Sequence, residues 1–220
     1  MKTTTYFSLL FFLISFTGCF EIIEQATIKA DGSGNFQLVL NCSKSKTKLN
    51  SIIKMKTING HDVPTQNEIK SKLIDIEKTI AKTPGISNVK SSIDFDNYIA
   101  TISCNFAKPT QLNSIVKNIT EKEKTKYNEK SFDYNATTNT FWRLNKLSVK
   151  KDYDKMSNAD KEIFATANFT AVYKFENTVT SVSNKNAKIA PSNKAVMLQA
   201  NVLDIITEKK LIENKITLTK

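Results

Sequence analysis

The tetrapeptide Asp31-Gly32-Ser33-Gly34 stands between two runs with the two-residue period of a strand. Its glycines supply the positive φ that tight hairpin turns require. On one side, Phe20 to Ala30 reads as a strand, with Ile22, Thr27 and Ile28 as its strongest β-formers. On the other, Phe36, Leu38, Leu40 and Cys42 fall on one face by the period of two. A hairpin with one apolar face needs a cover, so the chain must supply helices or a second sheet.

The next segments supply candidates for both. Leu49, Ile52 and Ile53 suggest a short helix. Asn59-Gly60-His61-Asp62 reads as a turn. Thr65 followed three residues later by Glu68 has capping-box spacing, and Ile69, Leu73, Ile76 and Ile80 then form one apolar helical stripe that ends at Pro84-Gly85. Ile86–Phe95 and Tyr98–Phe106 read as a second hairpin across Asp96-Asn97, with Tyr98, Ala100, Ile102, Cys104 and Phe106 on one face. A second helix starts near Thr110, with Leu112, Ile115, Val116 and Ile119 on its apolar side, and runs out in the charged Glu121–Lys124.

A third hairpin is expected over 130–146, and a capped helical stretch begins near Ser157. Strands are then expected at Phe169–Phe175, Val179–Val182, Val196–Val202 and Lys215–Thr219. The fold class is α+β: antiparallel β-hairpins packed with two main helices, and a β-rich carboxy-terminal part. Residues 19–220 are expected to form a single domain, with a subdivision near 124–130 as the alternative.

The first eighteen residues follow different rules. Lys2 is followed by an apolar run, Tyr6 to Phe16, broken only by Ser8 and Ser15. A run of about eleven residues is too short to span a bilayer, which takes about twenty. It has the form of a secretory signal. Phe16-Thr17-Gly18-Cys19 resembles a bacterial lipobox, which makes 1–18 the signal peptide and Cys19 the lipid-attachment residue. An ordinary secreted protein is the alternative.

The chain carries a formal net charge of +11, but Arg143 is its only arginine. Scattered lysines without arginine forks do not suit nucleic acid, and export would remove the chain from it. Lys44, Lys46, Lys48, Lys54 and Lys56 form the densest cluster, the first three being the candidate contacts to anionic headgroups. Cys42 and Cys104 are a candidate disulfide if the two hairpins share a sheet, with two buried free thiols as the alternative.

Two stretches resemble known families. The lipobox, first strand, Asp31–Gly34 turn and second strand resemble uncharacterised Bacteroidetes lipoproteins. The stretch from Tyr173 to Asn201, with Phe175–Asn184, Ala187 and Lys194–Ala200, resembles the end of LppM-like envelope lipoprotein domains. The resemblance implies a β-rich envelope domain and brings no catalytic residues.

The sequence carries no GxSxG elbow, P-loop, HExxH or GxGxxG, and His61 is the only histidine. No metal or cofactor is expected, since one histidine and this cysteine spacing do not make a ligand set. Phe132, Tyr134, Phe141 and Trp142 are a candidate ligand surface, with core packing as the alternative. The leading reading is a non-enzymatic, lipid-anchored envelope protein, held to the membrane by its anchor and presenting a domain to an envelope protein partner or an amphiphile. Phe20 after Cys19 favours the outer membrane. A carrier of a lipid or small apolar ligand is the second reading and requires a cavity of several hundred Å³. A hydrolase acting through Asp94 and Asp96 is the third.

Overall fold

The computed structural model describes residues 20–122, 130–144 and 149–220, with side chains of the first stretch up to Asn118. The signal segment 1–18 and Cys19 lie outside the described residues, as do the side chain of Ile119 and most of the 124–130 boundary.

The expected first hairpin forms from β1 (Glu21–Ile28) and β2 (Gly34–Asn41). At its turn Asp31 Oδ1 accepts hydrogen bonds from the Ser33 amide (2.8 Å) and hydroxyl (2.7 Å). These bonds hold the Asp31 carboxyl below its usual range. A Cβ on Gly34 would lie 1.9 Å from the Thr27 carbonyl oxygen, so only glycine lets the two strands approach this closely.

A 3-10 turn (Ser43–Ser45), helix α1 (Lys46–Ile52) and a two-strand ribbon, β3 (Thr57–Ile58) with β4 (His61–Asp62), follow. Helix α2 (Gln66–Ala81) opens on the capping box anticipated from its spacing: Thr65 Oγ1 accepts from the Glu68 amide, and Glu68 accepts from the Thr65 amide. The second hairpin is β5 (Ile86–Asp94) and β6 (Ile99–Phe106), and helix α3 (Gln111–Lys122) follows. Next come β7 (Phe132–Asn135), β8 (Thr140–Arg143), α4 (Lys150–Lys155) and α5 (Asn158–Ala165). The chain closes with β9 (Asn168–Phe175), β10 (Val179–Val182), β11 (Lys188–Ile189), β12 (Ala195–Asn201), α6 (Val202–Ile206) and β13 (Asn214–Leu218).

The α+β class holds. Seven strands form one sheet in the order β11-β12-β9-β1-β2-β6-β5, and four form a second in the order β10-β13-β8-β7. One pairing departs from the antiparallel expectation: β9 runs parallel to β1, joining Glu21 with Asn168 and Ile28 with Phe175. Pairing at that separation along the chain leaves no local turn signal.

One face of the large sheet is apolar and is covered in two ways. Over β1 and β9 lies the second sheet, where Phe141 meets Tyr173 (ring centroids 5.0 Å) and Phe175 (5.7 Å) and Arg143 meets Glu24. Over β2, β5 and β6 lie α2 and α3. Asn113 on α3 fixes that helix to β7, donating to the Phe132 carbonyl (2.7 Å) and accepting from the Ser131 and Phe132 amides. The buried apolar side chains form one continuous core beneath both covers.

The register rules out the candidate disulfide. Cys104 lies opposite Phe36, while Cys42 follows β2 six residues later. At roughly 3.3 Å per residue the two are about 20 Å apart along the sheet, against the 4.4–6.8 Å between Cα atoms that a disulfide needs. Both cysteines are free thiols.

Candidate functional site

The half of the sheet covered by helices is hollow. A cavity of about 410 Å³ lies between them and the sheet. Its sheet wall comes from Phe36, Leu38 and Leu40 of β2 and Ala100, Ile102 and Cys104 of β6. Its roof comes from Leu73, Ile76 and Ile80 of α2 and Leu112, Ile115 and Val116 of α3. The volume falls within the range of small-molecule sites, about 300–1,000 Å³, and such sites are usually apolar with a few fixed polar groups.

The cavity is deep at one end and open at the other. Cys104 is only 4% exposed, whereas Leu38 and Leu40 on the adjoining strand reach 37% and 42%. Burial pushes the Cys104 thiol up to about 11. The α2 stripe is only half-buried before Ile80, because its side chains roof a space instead of meeting the sheet. A second hollow shares Leu73, Ile76 and Ala100 with the cavity and extends it past Ile53 and Met55.

The charged groups gather on one flank. Glu24 sits on the apolar face of β1, and Arg143 reaches it from β8; each is only 5% exposed. Arg143 Nε donates to Glu24 Oε1 (2.8 Å) and Nη2 to Oε2 (3.0 Å), a bidentate fork. Its Nη1 donates to the carbonyls of Ser131 (3.2 Å) and Leu144 (2.7 Å). The Tyr173 hydroxyl donates to Glu24 Oε1. The guanidinium also lies 4.8 Å from the Phe132 ring centre. Burial opposes the charge on Arg143, but the Glu24 carboxylate more than offsets it and keeps the guanidinium protonated. Burial first, and then the Glu24 charge, push the Tyr173 phenol well above its usual range. Glu24, Ser131, Phe132 and Arg143 all line the cavity.

The anticipated aromatic surface does not exist as one surface. Phe132 and Phe141 are core, and Phe132 also lines the cavity. Tyr134 is half-buried and packs against the same core. Trp142 faces the opposite side of its strand, beneath Lys215, whose Nζ lies 5.0 Å from the ring centre. Adjacent strand residues point to opposite faces, so Phe141 and Trp142 cannot share one.

The other sequence-marked residues lie outside the cavity. Asp94 and Asp96 are exposed, and Asp94 Oδ1 accepts from the Asp96 and Asn97 amides, which caps the β5–β6 turn, so the two do not converge in a cleft as an acid pair. His61 is exposed, with Nε2 3.5 Å from Asp160 Oδ2. Lys44, Lys46, Lys48, Lys54 and Lys56 are all exposed. Among the described residues no group of three or more His, Cys, Asp or Glu side chains is placed to hold a metal, and no helix is long and apolar enough to cross a membrane.

Neither Glu24 nor Arg143 stands among the site residues expected from the sequence, although both carry a signal there. Glu24 occupies the inward phase set by Ile22, Ala26 and Ile28, and Arg143 the inward phase set by Phe141.

No protein-family model matches the chain, and no curated protein matches it. Among solved structures it is similar to the folded domain of LppM from Mycobacterium tuberculosis, determined by NMR, with a TM-score of 0.43 and 11% identity. That match covers 90% of this chain and 88% of the other.

Proposed function

We propose that this chain is a non-enzymatic cell-envelope lipoprotein whose domain holds the apolar chain of an amphiphile in the cavity between its helices and sheet. The cavity carries the reading: it is several hundred Å³ in volume, walled by aliphatic side chains, open at one end and bounded by one neutralised ion pair. An apolar chain placed there replaces water against Leu38, Ile76, Ile102 and Ile115. The gain is about 0.8 kcal/mol per methylene transferred.

The anchor is the second part of the proposal. It rests on Phe16-Thr17-Gly18-Cys19, with Cys19 as the modified residue. Placement in the outer membrane rests on Phe20, and the Bacteroidetes type on the resemblance of the first hairpin.

Fluorescent fatty-acid titration tests the cavity. The full chain is expected to bind the fatty acid and to lose that binding in Ala100→Phe, which fills the space where the two hollows meet. Equal binding by both would overturn the cavity reading. Labelled palmitate tests the anchor: incorporation is expected in the wild type and absent in Cys19→Ala, and a labelled variant would refute it.

A further inference from the structure

Three features converge on one end of the large sheet. The first is the start of β1. Glu21 pairs with Asn41, and the Asn168 amide donates to the Phe20 carbonyl (3.0 Å), so residue 20 emerges beside the end of β2. The second is the open end of the cavity, because exposure along β2 increases towards Leu40.

The third is the segment Ser43–Ile58. It holds five lysines, at 44, 46, 48, 54 and 56, and no acidic residue. All five are exposed, and among the described residues none is held in a salt bridge. The acids around them are Asp94, which feels Lys46 but whose carboxylate caps a turn, and Asp62 and Glu68, which line the outer hollow with Lys56. Met55, 49% exposed, sits among the lysines and lines the outer hollow. The segment is also held in place: the Cys42 amide donates to the Tyr98 carbonyl (2.9 Å), and the Tyr98 hydroxyl donates to Asn50 Oδ1 (2.7 Å).

We infer that Ser43–Ile58 is a docking lip for an anionic phospholipid bilayer, and that it seats the mouth of the cavity on the headgroups. Charge complementarity selects the occupant: five clustered, exposed lysines that no salt bridge among the described residues holds draw to an anionic membrane surface, each strengthening the contact about fivefold. Met55 adds an apolar side chain that enters the headgroup region as the lysines settle. The lip delivers the cavity to its ligand only if the cavity reading above is right. Docking itself is read independently of whether a chain is bound.

The test places a single tryptophan at the lip, Met55→Trp with Trp142→Phe, in the full chain. Vesicles of phosphatidylcholine with brominated acyl chains, with or without phosphatidylglycerol, serve as the surface. Quenching is expected in the phosphatidylglycerol vesicles and should fall in high salt. It should also fall when the five lysines become glutamine, a change confined to exposed side chains. Quenching that is equal in neutral vesicles, or unchanged without the lysines, would overturn the lip. An acidic protein partner in place of the bilayer would leave the introduced tryptophan unquenched in both, which also overturns it. Quenching at the lip with no fatty-acid binding in the cavity would refute the proposed function and leave docking standing.

Discussion

The apolar face of the large sheet has two halves that differ in how they are filled. Over β1 and β9 the second sheet packs closely, the Phe141 ring meets those of Tyr173 and Phe175, and Phe141, Tyr173, Ile28 and Ile216 are almost completely buried. Over β2 and β6, aliphatic side chains from α2 and α3 stand away from the sheet and leave the cavity. The cover explains the difference. Large flat rings on two facing strands fill the space between layers, whereas two cylinders on a sheet leave a trough that Leu and Ile do not close. The Glu24–Arg143 pair marks the boundary. It belongs to the packed half through Tyr173 and to the hollow half through the cavity that both its members line.

The largest expected effect tests that boundary. Arg143→Met leaves Glu24 buried without its partner and is expected to cost about 3–5 kcal/mol in urea unfolding. Adding Glu24→Leu removes the stranded charge and should recover most of the loss, despite the vacant Tyr173 hydroxyl. No recovery would mean that the pair acts through packing alone. Phe141→Ala, in the packed half, is expected to cost about 3–5 kcal/mol, against less than about 1 kcal/mol for Leu38→Ala at the open wall. Similar losses at the two sites would erase the contrast between the halves.

A pH titration probes the depth of the hollow. Burial raises the folded-state pKa of Cys104 from 9.0 to about 11, so the folded chain keeps its proton at pH values where the unfolded chain has lost it. The stability that this group contributes is therefore fully present below pH 9.0 and declines as pH rises towards about 11. The decline is about 2–3 kcal/mol in the difference between the parent and Cys104→Ala, both carrying Cys42→Ser. A flat difference curve would place Cys104 in contact with solvent. Overfilling separates the halves next: Ala171→Leu under the second sheet is expected to cost about 1–3 kcal/mol, while Ala100→Leu at the cavity should change stability by less than about 1 kcal/mol. At the helical cover, Thr65→Ala removes one half of the capping box and is expected to cost about 1 kcal/mol.

Local features were legible in the sequence, and features set by distant contacts were not. The Asp31–Gly34 turn, the Thr65–Glu68 box and the α2 stripe each depend on residues within a turn or two of one another, so spacing alone identifies them. The β1–β9 pairing joins residues far apart in the chain and shows no such spacing. The expected Cys42–Cys104 bridge had the correct sheet face but not the register, and register decides whether two residues on one face can meet. Phe132, Tyr134, Phe141 and Trp142 are alike in kind, whereas strand alternation separates Trp142 from the rest. The cavity was the least legible feature, since it depends on how far two helices stand from a sheet. Its boundary charges did leave a trace, with one acid and the chain's sole arginine in strand positions otherwise filled by apolar residues.

The central claim is that an apolar chain occupies the hollow half, and Cys104 in its wall reports on this directly. The rate at which a small maleimide alkylates Cys104 is measured in the Cys42→Ser full chain, at mildly alkaline pH, with and without palmitate, with the site of reaction read by peptide mass. Occupancy of the cavity predicts that palmitate at about ten times its Kd slows alkylation of Cys104 about tenfold, while acetate at the same concentration leaves the rate unchanged. An alkylation rate unaffected by saturating palmitate would contradict the account.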